Sequence, residues 1–264
     1  MSPAPYGQER RGLPLRAVIP NAVTALALCI GLTGVRFAID GDWERAVAAV
    51  IVAAVLDGMD GRIARMIRGQ TRFGAELDSL SDSIAFGVAP AVIVYLWSLQ
   101  SLPKFGWLFA LAHAVCCALR LARFNAAIDR GEQPHKRAGY LTGVPAPAGA
   151  GLLLLPLYLW QWTGEPVFRE VLIVAPWTAL VAFLMISNIA TLSWTFLRLR
   201  SHVRLWVLVV VALAGGALLS APWPSLATLA ILYAALIPYG VYSYRRAQAR
   251  RSRTPDPAEM PRSA

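Results

Sequence analysis

The sequence predicts an all-α polytopic membrane bundle of about eight transmembrane helices, and three observations predict it. Hydrophobic residues make up 57% of the 264, and the mean hydropathy is +0.52, too apolar for a soluble domain. The apolar residues gather in runs of about 20, the length that crosses the hydrocarbon core of a bilayer. The charges fall between the runs, with basic and non-basic connections alternating along the chain, as expected of a protein threaded repeatedly through a membrane.

Taken in order, residues 1–16 are polar and rich in proline and arginine and are expected to form a cytoplasmic tail. Apolar runs follow at 19–39, 44–66, 80–100, 105–127, 144–163, 171–194, 203–220 and 225–244. The second and third runs are unusual, because the stretch 57–82 occupies the end of one and the start of the next. Pro145 and Pro147 are expected to break or kink the entry of the fifth. Residues 246–264 read as a basic patch and then a disordered tail. No internal repeat and no second domain is visible, so 17–245 is expected to be one transmembrane domain.

The connections fix the orientation. Arg10, Arg11 and Arg16 precede the first run, and the turn after it holds Asp40, Asp42, Glu44 and Arg45. Next come Arg62, Arg65, Arg68 and Arg72, then Lys104 alone, then Arg120, Arg123, Arg130, Lys136 and Arg137. Glu165, Arg169 and Glu170 precede Arg198, Arg200 and Arg204. An uncharged Ala-Pro-Trp-Pro-Ser follows, and the last run ends at Arg245, Arg246, Arg250, Arg251 and Arg253. The positive-inside rule then puts both termini and the 57–82 stretch on the cytoplasmic side. The net charge of +10 does not indicate nucleic acid, since the cations lie between apolar spans and face anionic lipid. Cys29, Cys116 and Cys117 lie inside apolar runs with no metal-ligand spacing, which excludes a disulfide framework or a zinc site as the organising feature.

The chemistry is concentrated in residues 57–82. Read as helix, Asp57, Asp60, Gly61 and Ala64 share one face, as do Gly74, Asp78 and Asp82. Acids near a bilayer are costly and are usually functional. Two acidic faces beside small residues suit a hard divalent cation and a bulky phosphorylated ligand. Oxygen-only ligands favour Mg2+, Mn2+ or Ca2+ over zinc, and a bound cation would reverse the repulsion between carboxylates and a pyrophosphate. A cation-coupled transporter is the alternative from another class. Such proteins often show repeated halves with broken helices, and no repeat is seen here.

The same stretch resembles the signature of the CDP-alcohol phosphotransferases, D-x2-D-G-x2-A-R-x8-G-x3-D-x3-D, at Asp57, Asp60, Gly61, Ala64, Arg65, Gly74, Asp78 and Asp82. The resemblance implies a six-helix catalytic core, here with two added helices, and a Mg2+- or Mn2+-dependent transfer from a CDP-linked lipid with release of CMP. It further implies that Asp57, Asp60 and Asp78 hold metal, with Asp82 contributing. Asp82 would also be the catalytic base, and Gly61, Ala64, Arg65 and Gly74, with Asp57 and Asp78, would shape the CDP site. Pro20-Asn21-Ala22-Val23-Thr24 resembles the family's P-N-x-x-T opening. Asn21 and Thr24 would then contact the nucleotide, capping of the helix being the other use open to them. A homodimer is implied on the same ground alone.

Other runs narrow the resemblance to the bacterial integral-membrane phosphatidylserine synthases. Phe73–Ala91 resembles FGxELDSLxDxxxFGxAP, Arg120–Asn125 is RLARFN, Tyr140–Ala148 resembles FxGLPxPxA, and Leu184–Asn188 resembles LMVSN. The implied substrates are CDP-diacylglycerol and L-serine, alternatives being glycerol 3-phosphate, inositol phosphate or choline as acceptor. A zwitterionic acceptor needs a cation for its carboxylate. Arg120, Arg123 and Asn125 are the candidates for serine or lipid-phosphate contacts, orientation under the positive-inside rule being the other use of the arginines. Ser187 and Asn188 are read as interhelical hydrogen-bonding residues, and His113 as packing.

Overall fold

The computed structural model describes residues 15–67, 69–129, 140–187, 190–192 and 201–251. Expectations placed on Arg10, Arg11, Arg68, Arg130, Lys136, Arg137, Asn188, Arg198, Arg200 and Arg253 fall outside those residues. The chain runs α1 (Leu15–Ile39), α2 (Trp43–Met66), α3 (Arg72–Asp82), a π-helical segment (Ser83–Val88), α4 (Ala89–Trp97) and α5 (Gly106–Asp129). Then come β1 (Tyr140–Thr142), α6 (Ala146–Leu153), α7 (Leu155–Thr163), α8 (Val171–Ile186), β2 (Ala190–Leu192), α9 (Ser201–Ser220) and α10 (Pro222–Arg251).

α1 and α2 form the most extensive helix pair. Gly41, at φ +76°, reverses the chain, and Asp42 caps α2 by accepting the Arg45 N–H at 3.1 Å. Beyond the turn the helices meet along small residues. A Cβ on Gly34 would stand 3.0 Å from the Ala46 carbonyl oxygen and 3.2 Å from Ala49 Cβ, so a side chain there would push the pair apart. Close backbone approach of this kind is how helices associate in lipid, where burial of apolar area gives no driving force.

α3, the π-helical segment and α4 form one continuous helix, which α1 packs along. The π segment begins directly after Asp82 and is clasped from two sides. Ala85 lies against Gly31 of α1, and Gly87 lies against Cys117 of α5. π turns of this kind occur mostly at functional sites. His113 of α5 is fully buried, with Nε2 3.3 Å from the Phe86 carbonyl oxygen in this segment.

At the opposite end of the bundle, Arg169 donates Nε–H to the Trp97 carbonyl oxygen at 2.9 Å, and the Ser98 hydroxyl donates to the Arg169 carbonyl oxygen at 2.7 Å. The Arg169 guanidinium also lies over the rings of Trp43 and Trp160, tying three segments together.

The helices fit a membrane bundle, as expected, and four details of it come from the structure. First, among the described residues four helices are long and apolar enough to cross a membrane: Val18–Ile39, Arg72–Trp97, Gly106–Ala126 and Pro222–Gly240. The expected run 44–66 loses apolarity to its acids and arginines, and Val171–Ile186 and Val209–Ser220 are shorter apolar helices. Second, the prolines at the entry of the 144–163 run start a helix rather than kink one, since Pro145 precedes α6 and Pro147 sits in its first turn. The break comes at Leu154, where Pro156 has no N–H to give the Leu152 carbonyl. Trp177 Nε1–H donates to that oxygen instead, at 2.7 Å.

Third, a short antiparallel pair joins the all-helical bundle, β1 with β2 and Leu141 opposite Thr191, and the sixth run stops as helix at Ile186 instead of reaching 194. Arg123 of α5 holds that end, its Nη1 donating to the Ile186 oxygen at 3.0 Å and its Nη2 to the Ser187 oxygen at 3.3 Å. Gly143, at φ +74°, is pressed against the same end, where a Cβ would stand 2.7 Å from the Met185 oxygen. Arg123→Leu keeps the aliphatic bulk and removes both donors. It is expected to destabilise the fold by roughly 1–2 kcal/mol, read as a lower unfolding midpoint in detergent; an unchanged midpoint would show that the two bonds contribute nothing. Fourth, the basic patch expected from 246 continues α10 as helix to Arg251. The first proline after Pro238 is Pro255, and the Arg, Ala and Gln between them are good helix formers.

Candidate active site

The site forms where the end of α2, the start of α3 and the start of α1 converge. Thr71 caps α3, its hydroxyl accepting the Gly74 N–H at 3.0 Å, and the Gly69 N–H donates to the Ala64 carbonyl oxygen at 2.9 Å. These bonds fold the α2–α3 connection into a tight corner. Gly69 is pressed against the Arg16 carbonyl, the acceptor left unused because Pro20 has no N–H, and a Cβ there would collide with it. α1 is thereby fixed against the corner.

The corner encloses a cleft of about 460 Å3 lined by residues of all three helices, a size suited to a small ligand or head group. Of the residues expected from the sequence, Asn21, Thr24, Asp57, Asp60, Gly61, Ala64, Gly74, Asp78 and Asp82 line it. A Cβ on Gly74 would stand 2.8 Å from Asn21 Oδ1, whereas one on Gly61 would meet nothing within 4 Å. Gly74 therefore lets α1 close on α3, and Gly61 leaves open space in the cleft.

Asp57, Asp60 and Asp78 each offer a carboxylate oxygen, and these oxygens lie within 4.8 Å of one another. Asp60 is buried, and its Oδ2 accepts from the Thr24 hydroxyl at 2.6 Å. The Ser81 hydroxyl donates to the Thr24 carbonyl oxygen at 3.2 Å, so one residue of α1 is bonded to both acidic helices. Thr24 and Asn21 lie inside α1, which begins at Leu15, and capping is therefore not their role. The convergent, all-oxygen donor set fits a hard divalent cation.

Two of the expected residues stand apart from the group of three. Asp82, expected to contribute to the metal site, borders the same cleft but is not one of the three convergent carboxylates. It sits one turn, about 5.4 Å, further along the helix than Asp78, within hydrogen-bonding distance of the Asp57 carboxylate. Arg65, expected in the nucleotide site, is exposed and does not line the cleft.

The three residues expected to bind acceptor or lipid phosphate divide. Arg123 holds the end of α8. Asn125 donates Nδ2–H to Ser79 Oγ at 2.9 Å, tying α5 to α3. Arg120 remains beside the site, with Asp82 among its electrostatic neighbours and a buried Nε that has no hydrogen-bond partner among the described residues. Sequence reasoning missed Pro20, Gly69, Gln70, Thr71 and Ala75 as lining residues. The Thr71-x-x-Gly74 spacing was the available signal for Thr71, since a threonine before a helix is a favoured cap.

Comparison with known proteins adds three findings. Residues 17–185 match the family described as CDP-alcohol phosphatidyltransferase. A Mycobacterium bovis protein named CDP-diacylglycerol–serine O-phosphatidyltransferase is 38% identical over 236 residues, covering 89% of this chain and 82% of that protein. Helicobacter pylori and Bacillus subtilis proteins of the same name are 30% and 32% identical over 203 and 171 residues, covering 75% and 65% of this chain and 80% and 88% of those proteins.

Proposed function

The chain belongs to the CDP-alcohol phosphatidyltransferase family, and from that premise we propose that it transfers the phosphatidyl group of CDP-diacylglycerol to L-serine, giving phosphatidylserine and CMP. The observation that carries the proposal is the convergence of Asp57, Asp60 and Asp78 in a cleft that Asp82 also borders. The curated relatives that bear the serine enzyme's name cover most of the chain and support the choice of acceptor.

In this reading Asp57, Asp60 and Asp78 hold Mg2+ or Mn2+. The cation, when bound, supplies positive charge and Lewis acidity to a pyrophosphate that the carboxylates would otherwise repel. Asn21, Thr24, Gly61, Ala64 and Gly74 accommodate the cytidine diphosphate, and the acyl chains stay in the bilayer. Asp82 takes the proton of the serine hydroxyl as that oxygen bonds to the lipid-side phosphorus. The bond from that phosphorus to the bridging oxygen breaks, and the electron pair leaves with CMP. Arg120 supplies charge beside Asp82, while Asn125 and Arg123 hold the neighbouring backbone and side chains in register.

The same proposal takes the chain as eight spans in a single domain, with both termini and the cleft cytoplasmic. The alternation of basic and non-basic connections supports it. It also takes the working enzyme as a homodimer, which the family resemblance supports. The test is an assay of the purified protein with CDP-diacylglycerol and L-serine, glycerol 3-phosphate, inositol phosphate or choline in turn. CMP release is expected with serine; release driven by another alcohol and not by serine would retire the serine assignment.

A further inference from the structure

At the other end of α2 from its acids, the helix borders a second cavity of about 380 Å3, a volume that holds a small ligand or one chain of a lipid. On α2 its walls are Val47, Ile51 and Val52, following Glu44 and Arg45 in the first turn. These positions recur at three, four and seven residues and so lie on one face. Leu218 of α9 and Trp223 and Leu226 of α10 line the cavity from the other side. Both helices lie beyond the residues 17–185 that match the family. α10 packs on α9, α7 and β2, while among the described residues neither α9 nor α10 packs extensively on α2. The added pair thus stands off from this part of the core and leaves a groove.

The groove passes from charged to apolar along α2. Glu44 and Arg45 are exposed at its mouth, and the walls beyond them are hydrophobic. From Glu44 to Val52 the helix rises about 12 Å, close to the hydrocarbon depth of one leaflet, about 15 Å. Water is a poor filling, since each molecule needs several polar partners, and an empty groove would forfeit the dispersion contacts of its walls. An acyl chain supplies those contacts. Arg45 has Asp42 at 3.2 Å and keeps further N–H donors for a phosphate. The Glu44 side chain has no ion pair among the described residues. Adjacent on the helix, the two do not face each other, so they flank a head group rather than neutralise one another. An acid and a base at the mouth of an apolar slot complement a head group that carries both phosphate and ammonium, whereas a purely anionic one would meet Glu44 as a like charge. We propose that the groove binds one zwitterionic phospholipid of the phosphatidylethanolamine class: an acyl chain lies between α2 and α10, Arg45 meets the phosphate, and Glu44 meets the ammonium.

The test titrates the full chain, stripped of lipid in detergent, with phosphatidylethanolamine or phosphatidylglycerol of the same acyl chains. Binding is read by native mass spectrometry and by the rise of the unfolding midpoint. Phosphatidylethanolamine is expected to bind about two- to fivefold more tightly, the range for one exposed ion pair, and Glu44→Gln should abolish that preference. Ala48→Trp and Leu218→Trp fill the groove from its two walls. In whichever of them keeps the lipid-free midpoint, phosphatidylethanolamine affinity should fall about tenfold or more, since two buried methylenes already carry that much. Unchanged affinity in a filled variant overturns the site. Equal affinity of the wild type for both lipids, or a preference that survives Glu44→Gln, overturns the head-group assignment and the proposal with it. A dimer that dissociates when the groove is filled, with lipid binding unchanged, would give this face to a second copy of the chain and overturn the proposal as well.

Discussion

Replacing Asp82 by Asn is expected to lower CMP release by about 10²–10⁴-fold, the usual contribution of a positioned general base, while the protein remains folded and inserted. Asn has the size of Asp but cannot take a proton. The position tolerates the change structurally, because Asp82 stands outside the group of three carboxylates and the substitution removes one like charge beside Asp57. Its helix continues into the π segment clasped by Gly31 and Cys117, contacts that the side chain of residue 82 does not make. Assay of CMP release beside the unfolding midpoint separates the two effects. Full turnover by Asp82→Asn would remove Asp82 as the base; loss of turnover with a collapsed midpoint would make its role structural.

The parts of this molecule that were legible in the sequence are those set by helical spacing. The faces carrying Asp57, Asp60, Gly61 and Ala64 and carrying Gly74, Asp78 and Asp82 follow from a period of 3.6, and these residues do line one cleft. What spacing could not give is set by tertiary contact. The π segment depends on packing of Ala85 and Gly87 between α1 and α5. The end of α8 at Ile186 depends on Arg123, whose partners lie more than sixty residues away in the chain. Arg120, Arg123 and Asn125 look equivalent in the RLARFN run, yet they face three directions, one toward Asp82, one to the α8 carbonyls and one to Ser79.

The sharpest consequence of the three converging carboxylates is a change in the sign of a substitution's effect. With no cation present, Asp57, Asp60 and Asp78 oppose one another, two unit charges 4 Å apart repelling by about 4 kcal/mol at an effective dielectric constant of about 20. Asp78→Asn removes one charge and no hydrogen bond of the kind that Thr24 makes to Asp60. In chelator, therefore, the variant should unfold at the same temperature as the wild type or higher. In saturating Mg2+ or Mn2+ the order should reverse. A ligand present at 100 times its dissociation constant stabilises the state that binds it by about 2.7 kcal/mol, and the wild type gains this while the variant, short of one oxygen ligand, gains little. CMP release by the variant should fall in parallel, and raising the cation concentration should recover part of it. Unfolding curves with and without cation check the crossing independently of catalysis. A variant stabilised by cation as strongly as the wild type would show that the ion binds elsewhere, and the proposed role of the α2–α3 corner would go with it.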